Sequence, residues 1–370
     1  MENAAELESP AAPALTEHEL TLLARARRVA DAVLEPNAER YDAAAEFPFA
    51  NLDALAAEGL VGVTTPPEWG GHGTSGAFQR EYVETLTAAC GTTWFILTQH
   101  LGACAQIASS ENPSLRERFL RDMAAGRHYV GVGFGHLRRP TPMLRARRAD
   151  GGWVLDGVAP WVTGWPALKG VIYGAVLEDG ERHLYVYAPA DHPAVTSSPP
   201  LPQCAMNAAA TTEVRLNEMF VPDEDFVKFS SRAEMAKGDE RGIAGTVAPP
   251  LGCAVGSLRA LRATAEKRKQ AASADAAEAL AREIDACRAE ARRWADGPKD
   301  TPEYKPNALN ARAWAIELGV RAAHMTVAAA SGAANALSHP AQRRFREAMF
   351  YTVTAQTADI QSATLERLSR

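Results

Sequence analysis

The hydrophobic period of this 370-residue chain changes twice, and that constrains its fold more than any other property. From about Thr16 to Ala125 apolar residues recur at helical spacing: Leu22, Ala26, Val29 and Val33, then Leu86, Trp94, Leu97 and Leu101, then Leu115 to Met123. At about Tyr129 the pattern shortens to strand-like pieces, Tyr129–Val132, Gly152–Leu155, Gly170–Tyr173, His183–Tyr187 and Glu213–Leu216. From about Ala248 the chain is rich in Ala and Leu and reads as helical to its end, with breaks at Gly297-Pro298 and around Pro302 to Pro306. Thr16 and Glu19 form a capping-box signature, Pro66 to Gly73 is a turn-rich break, and Asp179-Gly180 marks a hairpin. Strands and helices are segregated, which argues against a Rossmann-type sheet. Gly131, Gly133 and Gly135 lack the spacing and the following helix of a nucleotide loop. The fold class expected is α+β and multidomain. A disordered tail (1–15), small, polar and proline-containing, precedes an N-terminal α-helical domain (16–128). A central small β-barrel or sandwich domain (129–228) and a C-terminal helical bundle (229–370) follow.

Bulk properties narrow the function. A net charge of -6 argues against a nucleic-acid partner, since there is no basic excess to release counterions. The five cysteines are widely spaced and form no C-x-x-C pair, so neither a disulfide framework nor a zinc site is indicated. No apolar run reaches the roughly 18 to 20 residues needed to span a bilayer, and the N-terminus lacks a basic-then-apolar leader pattern. The chain reads as cytoplasmic. No G-x-S-x-G, Walker loop or H-E-x-x-H competes for attention.

Four stretches carry a resemblance. Pro67-Glu68-Trp69-Gly70-Gly71-His72-Gly73 is similar to a Pro-x-(Tyr/Phe)-Gly-Gly-x-Gly turn, and Asp156-Gly157-Val158-Ala159-Pro160-Trp161-Val162-Thr163 to Asn-Gly-x-Lys-x-Trp-Ile-Thr. Asn217 to Pro222 looks like the end of the same β-domain, and Arg346 to Thr357 resembles an Arg-Asp-Ala-Lys stretch leading to Tyr-Glu-Gly-Thr. Together they resemble the acyl-CoA dehydrogenase family, a flavoprotein superfamily that also includes reduced-flavin monooxygenases. The resemblance covers nearly the whole chain from Thr16 and implies a C-terminal four-helix bundle with FAD as cofactor, the alternative being FMN or a reduced flavin supplied by a reductase.

What the resemblance implies can be placed residue by residue. Trp161 would lie against the flavin ring and Thr163 would donate toward its N5; the bland alternative is a buried Trp and an ordinary strand Thr. Phe134, Gly135 and His136 occupy the place of a Thr-Glu-Pro-Gly-x-Gly-Ser-Asp stretch, shortened and without Ser-Asp. His136 is therefore either a catalytic candidate at the cofactor edge or a structural histidine. Arg268 begins a weakened Arg-x-Gln-Phe-Gly motif, with Ala271 and Ala272 where Phe and Gly belong. It is either a ligand to the pyrophosphate of a neighbouring subunit's FAD or an exposed helix charge. Ser331 and Gly332 match a turn near the adenine half of FAD, and Gln356 and Thr357 take the Gly-Thr positions.

The family's base is a Glu, and the matching position here is Ala355. Loss of a general base costs about 10²- to 10⁴-fold, and alanine cannot replace it. Glu240 is a candidate displaced base; otherwise it and Asp239 are solvated charges opening the next helix. Three functions follow: a flavin-dependent oxidoreductase, a reduced-flavin monooxygenase acting on a non-CoA or carrier-bound small molecule, or a non-catalytic scaffold subunit beside an active homologue. The expected partners are a small-molecule substrate, such as an acyl thioester, and a flavin reductase or electron-transfer flavoprotein. Helices such as Ala311 to Ala334 carry more apolar face than one bundle needs, which implies a homodimer or, as a dimer of dimers, a homotetramer.

Overall fold

The computed structural model describes residues 14–370; most of the expected tail lies outside the described residues. The N-terminal layer consists of α1 (Glu17–Val29), α2 (Glu35–Ala44), α3 (Phe49–Ala57), α4 (Gly76–Ala89) and α5 (Gly91–Ala108). The short α6 (Pro113–Leu115) and α7 (Arg121–Ala124) are joined by a wider helical turn. The capping box forms: Glu19 N donates to Thr16 Oγ1 at 3.2 Å and Thr16 N donates to Glu19 Oε2 at 3.0 Å. Leu22, Leu23, Ala26 and Val29 then give α1 one buried stripe. In the break between α3 and α4, a Cβ on Gly71 would stand 2.2 Å from the Thr65 carbonyl oxygen, so only glycine lets the loop fold back there.

The central layer is one eight-stranded sheet: β1 (Tyr129–Gly133), β2 (Leu144–Ala149), β3 (Gly152–Val162), β4 (Leu168–Leu177), β5 (Arg182–Pro189), β6 (Val195–Ser197), β7 (Thr212–Pro222) and β8 (Phe226–Ser231). The order is β6-β7-β3-β2-β4-β5-β8, with β1 and β2 sharing one edge of β4, both parallel to it. β4 and β5 pair antiparallel around Asp179-Gly180, where Gly180 takes φ 76°. The alternation of β7 (Thr212, Val214 and Leu216 in; Glu213, Arg215 and Asn217 out) buries one face, as expected of a sheet wetted on the other.

The C-terminal region holds α8 (Arg232–Gly242), α9 (Ala248–Arg268), α10 (Ala271–Asp296), α11 (Tyr304–Ala330), α12 (Pro340–Val353) and α13 (Ala358–Leu368). Asp239 and Glu240 do not open α9, contrary to the sequence expectation. They close the separate helix α8, started by a Ser231–Glu234 capping box and ended before Gly245. Nor does Pro306 break the chain: it sits in the first turn of α11, where no amide hydrogen bond is lost. The helix expected to reach Ala334 ends at Ala330, with Ser331 at φ 59°. Gly252 and Gly256 let α9 cross α4 closely, since a Cβ at either would stand 2.6 Å or less from the Glu84 or Ala88 carbonyl oxygen.

α12 is held to the N-terminal layer by arginines. Arg343, buried, reaches Glu39 at 2.7 Å and Glu347 at 3.0 Å; Arg344 reaches the Ala88 carbonyl and Glu35; Arg346 forks onto Asp42 at 2.9 and 2.6 Å. Glu35, Glu39 and Asp42 recur at helical spacing on α2, so one helix face offers carboxylates to one face of the other. Among the described residues no helix is long and apolar enough to cross a membrane.

Candidate functional site

The site builds outward from a bulge in β3. Ala159 pairs with Val214 and Val162 with Thr212, so β3 carries one residue more than β7 across this step. The excess is taken up at Trp161, which adopts φ 69° and turns its indole outward, leaving it 52% exposed. A left-handed, exposed tryptophan at a strand end is costly on both counts, and such strain concentrates at functional sites. Met206 and Ala210, in the connection leading into β7, are also left-handed. Beside them Thr163 and Thr211, both buried, share a hydrogen bond of 2.9 Å between hydroxyls. Two hydroxyl protons serve one shared bond, so the pair keeps one donor for another acceptor.

After β1, Phe134 packs edge-on against Tyr185 with ring centroids 5.4 Å apart, and Gly135 is exposed with open space around its Cα. His136 is buried. Its Nε2 donates to the Gly174 carbonyl at 2.9 Å and its Nδ1 accepts from Met143 N at 3.3 Å. Burial pushes its pKa down to about 4, so it is neutral. With both ring nitrogens engaged by main chain, the side chain splints the turn and has no nitrogen left for a ligand. Two residues on, Arg138 forks onto Asp239 of α8 at 2.8 and 2.7 Å.

That fork brings the turn to the loop between α12 and α13. Ala355 sits there at φ 51°, exposed, with only a methyl group to offer. Gln356 Nε2 donates to the Thr352 carbonyl at 3.1 Å, and Thr357 caps α13 by accepting from Ile360 N at 3.3 Å, which leaves its own proton free. Arg312 fastens the loop from below: fully buried, it donates to the carbonyls of Thr246, Tyr351 (3.4 Å) and Thr354 (3.0 Å). Between the loop and α8 lies a cleft of about 430 Å³ whose lining includes Arg138, Arg232, Asp239, Lys305, Gln356 and Thr357. Glu240 is also there, 3.1 Å from Lys305 Nζ, which holds Asp359 at 2.9 Å as well.

The remaining expected residues lie elsewhere. Arg268 donates to the Ala330 carbonyl at 2.7 Å and thereby caps α11. With Ser331 it lines a second cavity, of about 610 Å³, between the end of α9 and the start of α10; Gly332 is exposed next to it. The structure therefore gathers Gln356 and Thr357 with the turn after β1, keeps Trp161 and Thr163 on the rim of the sheet, and sets Arg268, Ser331 and Gly332 apart from both. Sequence reasoning missed Arg232, Lys305, Asp359 and Arg312. The Ser231-x-x-Glu234 capping box was the signal that could have placed α8 and its charges at the cleft.

The comparisons with known proteins bear on the fold that carries this site. The family described as acyl-CoA dehydrogenase, N-terminal domain, matches residues 16–127. The chain is 24% identical over 357 residues to the probable acyl-CoA dehydrogenase YngJ of Bacillus subtilis, spanning 90% of this chain and 93% of that one. Its fold superposes on butyryl-CoA dehydrogenase from Megasphaera elsdenii with a TM-score of 0.83 at 18% identity, covering 97% and 100% of the two chains. It also superposes on dibenzothiophene monooxygenase from Paenibacillus sp. A11-2 with a TM-score of 0.79 at 16% identity, covering 94% and 97%. From the N-terminal match through the full-length relative to the three-layer architecture, one likeness runs through the comparisons: residues 16–127 match the acyl-CoA dehydrogenase N-terminal domain, and the chain as a whole has the acyl-CoA dehydrogenase fold.

Proposed function

We propose that the chain is a flavin-dependent oxidoreductase whose isoalloxazine ring rests against Trp161, with the Thr163–Thr211 hydroxyl pair as hydrogen-bond donor. The observation that carries this reading is the bulge that presents the Trp161 ring to solvent beside a spare buried hydroxyl. These groups fit a flat aromatic cofactor with one acceptor at its edge. Thr357 keeps a hydroxyl proton free as a further donor. Bound there, FAD or FMN would supply the redox chemistry, and this chain's residues would orient it and shield one face. Arg268 and Ser331 line a separate cavity, with Gly332 next to it, and in this reading a second copy of the chain would bring them to the flavin. The test is reconstitution with excess FAD or FMN. A bound flavin spectrum that weakens in Trp161→Ala supports the reading, and failure to bind either flavin, oxidised or reduced, sinks it.

Ala355 divides the reactions. At the position of the family's base the chain offers a methyl group, and the cleft's carboxylates are engaged: Asp239 by Arg138, Glu240 and Asp359 by Lys305. This favours a second reading over α-proton abstraction, namely a monooxygenase on a non-CoA or carrier-bound small molecule, served by a flavin reductase. A reductase with NADH and oxygen should then support a long-lived hydroperoxide absorbance. Efficient acyl-CoA oxidation with an artificial acceptor and no oxygen dependence would restore the dehydrogenase reading, with an electron-transfer flavoprotein as partner. If Glu240 is the base of such a reaction, Glu240→Gln slows it about 10²- to 10⁴-fold. A flavin-free scaffold role would instead show as an empty flavin site and co-purification with a Glu-bearing homologue.

A further inference from the structure

Building on the flavin-oxidoreductase reading, we propose that the cleft between α8 and the α12–α13 loop is the substrate site and selects small molecules bearing an oxyanion, received by Arg232. Among the described residues the other cations of this cleft have carboxylate partners: Arg138 is forked on Asp239, and Lys305 is shared by Glu240 and Asp359. Arg232 has none. Both of its terminal nitrogens stand 3.4 Å from a single acceptor, the Arg139 carbonyl, so most of its donors are unspent. His183 is buried with neither ring nitrogen hydrogen-bonded, and burial together with the Arg232 charge keeps it uncharged. Glu234, two residues along α8, is turned back onto Ser230 and Ser231.

A planar guanidinium with free donors, lining about 430 Å³ of space, is suited to a carboxylate or a phosphate-type group, which it can grip with two parallel hydrogen bonds. The helix that carries it can adjust. α8 has no buried residue, and its C-terminal half is tied down by ion pairs of Asp239, Glu240 and Arg241, the last to Asp300. An entering oxyanion competes with those carboxylates for Arg138 and Lys305.

The test is calorimetric titration of the full chain, with and without added FAD, using malonate and inorganic pyrophosphate as separate probes at constant ionic strength. Saturable binding of at least one probe is expected, weakened on the order of tenfold or more in Arg232→Gln, the loss of about one charge-assisted hydrogen bond. Lys305→Met should change the affinity by a smaller factor. Malonate alone would identify a carboxylate substrate, and pyrophosphate alone a phosphorylated one. No saturable binding of either, or equal binding to the wild type and a folded Arg232→Gln protein, would overturn the proposal. Binding without flavin leaves it standing even if the flavin reading fails, whereas flavin binding with no anion site removes this inference alone.

Discussion

Arg312 holds a position that few cations tolerate, fully buried with no carboxylate beside it, satisfied by the carbonyls of Thr246, Tyr351 and Thr354. Two of these belong to the end of α12, where the helix dipole favours a positive charge. Arg312→Met would strand three acceptors and should lower the unfolding free energy by roughly 2–4 kcal/mol. In urea titration, a variant as stable as the wild type would refute that role. The histidines give a second prediction. His100, buried like His136, accepts from Val130 N at 3.2 Å and donates to the Met123 carbonyl at 3.0 Å, and burial pushes both pKa values down to about 4. Below the ordinary value near 6.5 only the unfolded chain takes up these protons. The stability they confer is complete above pH 6.5 and is lost as pH falls toward 4, by about 2 kcal/mol per histidine at pH 5. Denaturation midpoints at pH 7.5 and 5 check this, and His136→Gln should flatten the dependence by about half. The motif around Trp161 was legible in the sequence because its residue types and spacing are local. The fate of His136 was not, since its acceptor, the Gly174 carbonyl, lies on another strand.

Helix α9 meets α4 through glycines, and intrinsic propensity misleads there. Exchanging Gly256 for Ala would favour an isolated helix by about 1 kcal/mol. In place, the new Cβ would stand 2.2 Å from an Arg344 nitrogen and 2.3 Å from the Ala88 carbonyl, and backbone cannot yield as a flexible side chain can. Gly256→Ala should therefore destabilise by about 1–3 kcal/mol despite its propensity, as thermal melts would show. α8 is the opposite case. With nothing buried and mainly ion pairs to hold it, its amides should exchange with deuterium well before those of α9, and equal protection would contradict that. The same property hid it from the sequence reading: a helix that buries no face has no apolar stripe, so only its capping box betrayed it. Elements with a buried face, such as α1 and β7, announced themselves through period 3.6 or period 2. Pro306 misled because a proline reads alike just before a helix and within its first turn.

At the scale of the whole molecule, the residues expected around one flavin divide between the sheet rim with the α12–α13 loop and the far cavity at Arg268. A second copy is the simplest way to join them. Light scattering at micromolar concentration should give about twice the 39.7 kDa of one chain, or four times if dimers pair, and a monomer mass would refute the shared site. The arginines of α12 carry a different consequence, one for biosynthesis. Their carboxylate partners on α2 lie 304 to 309 positions earlier in the chain. During translation the N-terminal helices are made first, yet the cations that complete their packing are made almost last. Until α12 emerges, those helices also lack Ala348 and Tyr351, which share their core, and the apolar surface left bare is of the kind that chaperones bind. A nascent chain interrupted before Arg343 would then be cleared, and the clamp would act as a checkpoint on full-length synthesis.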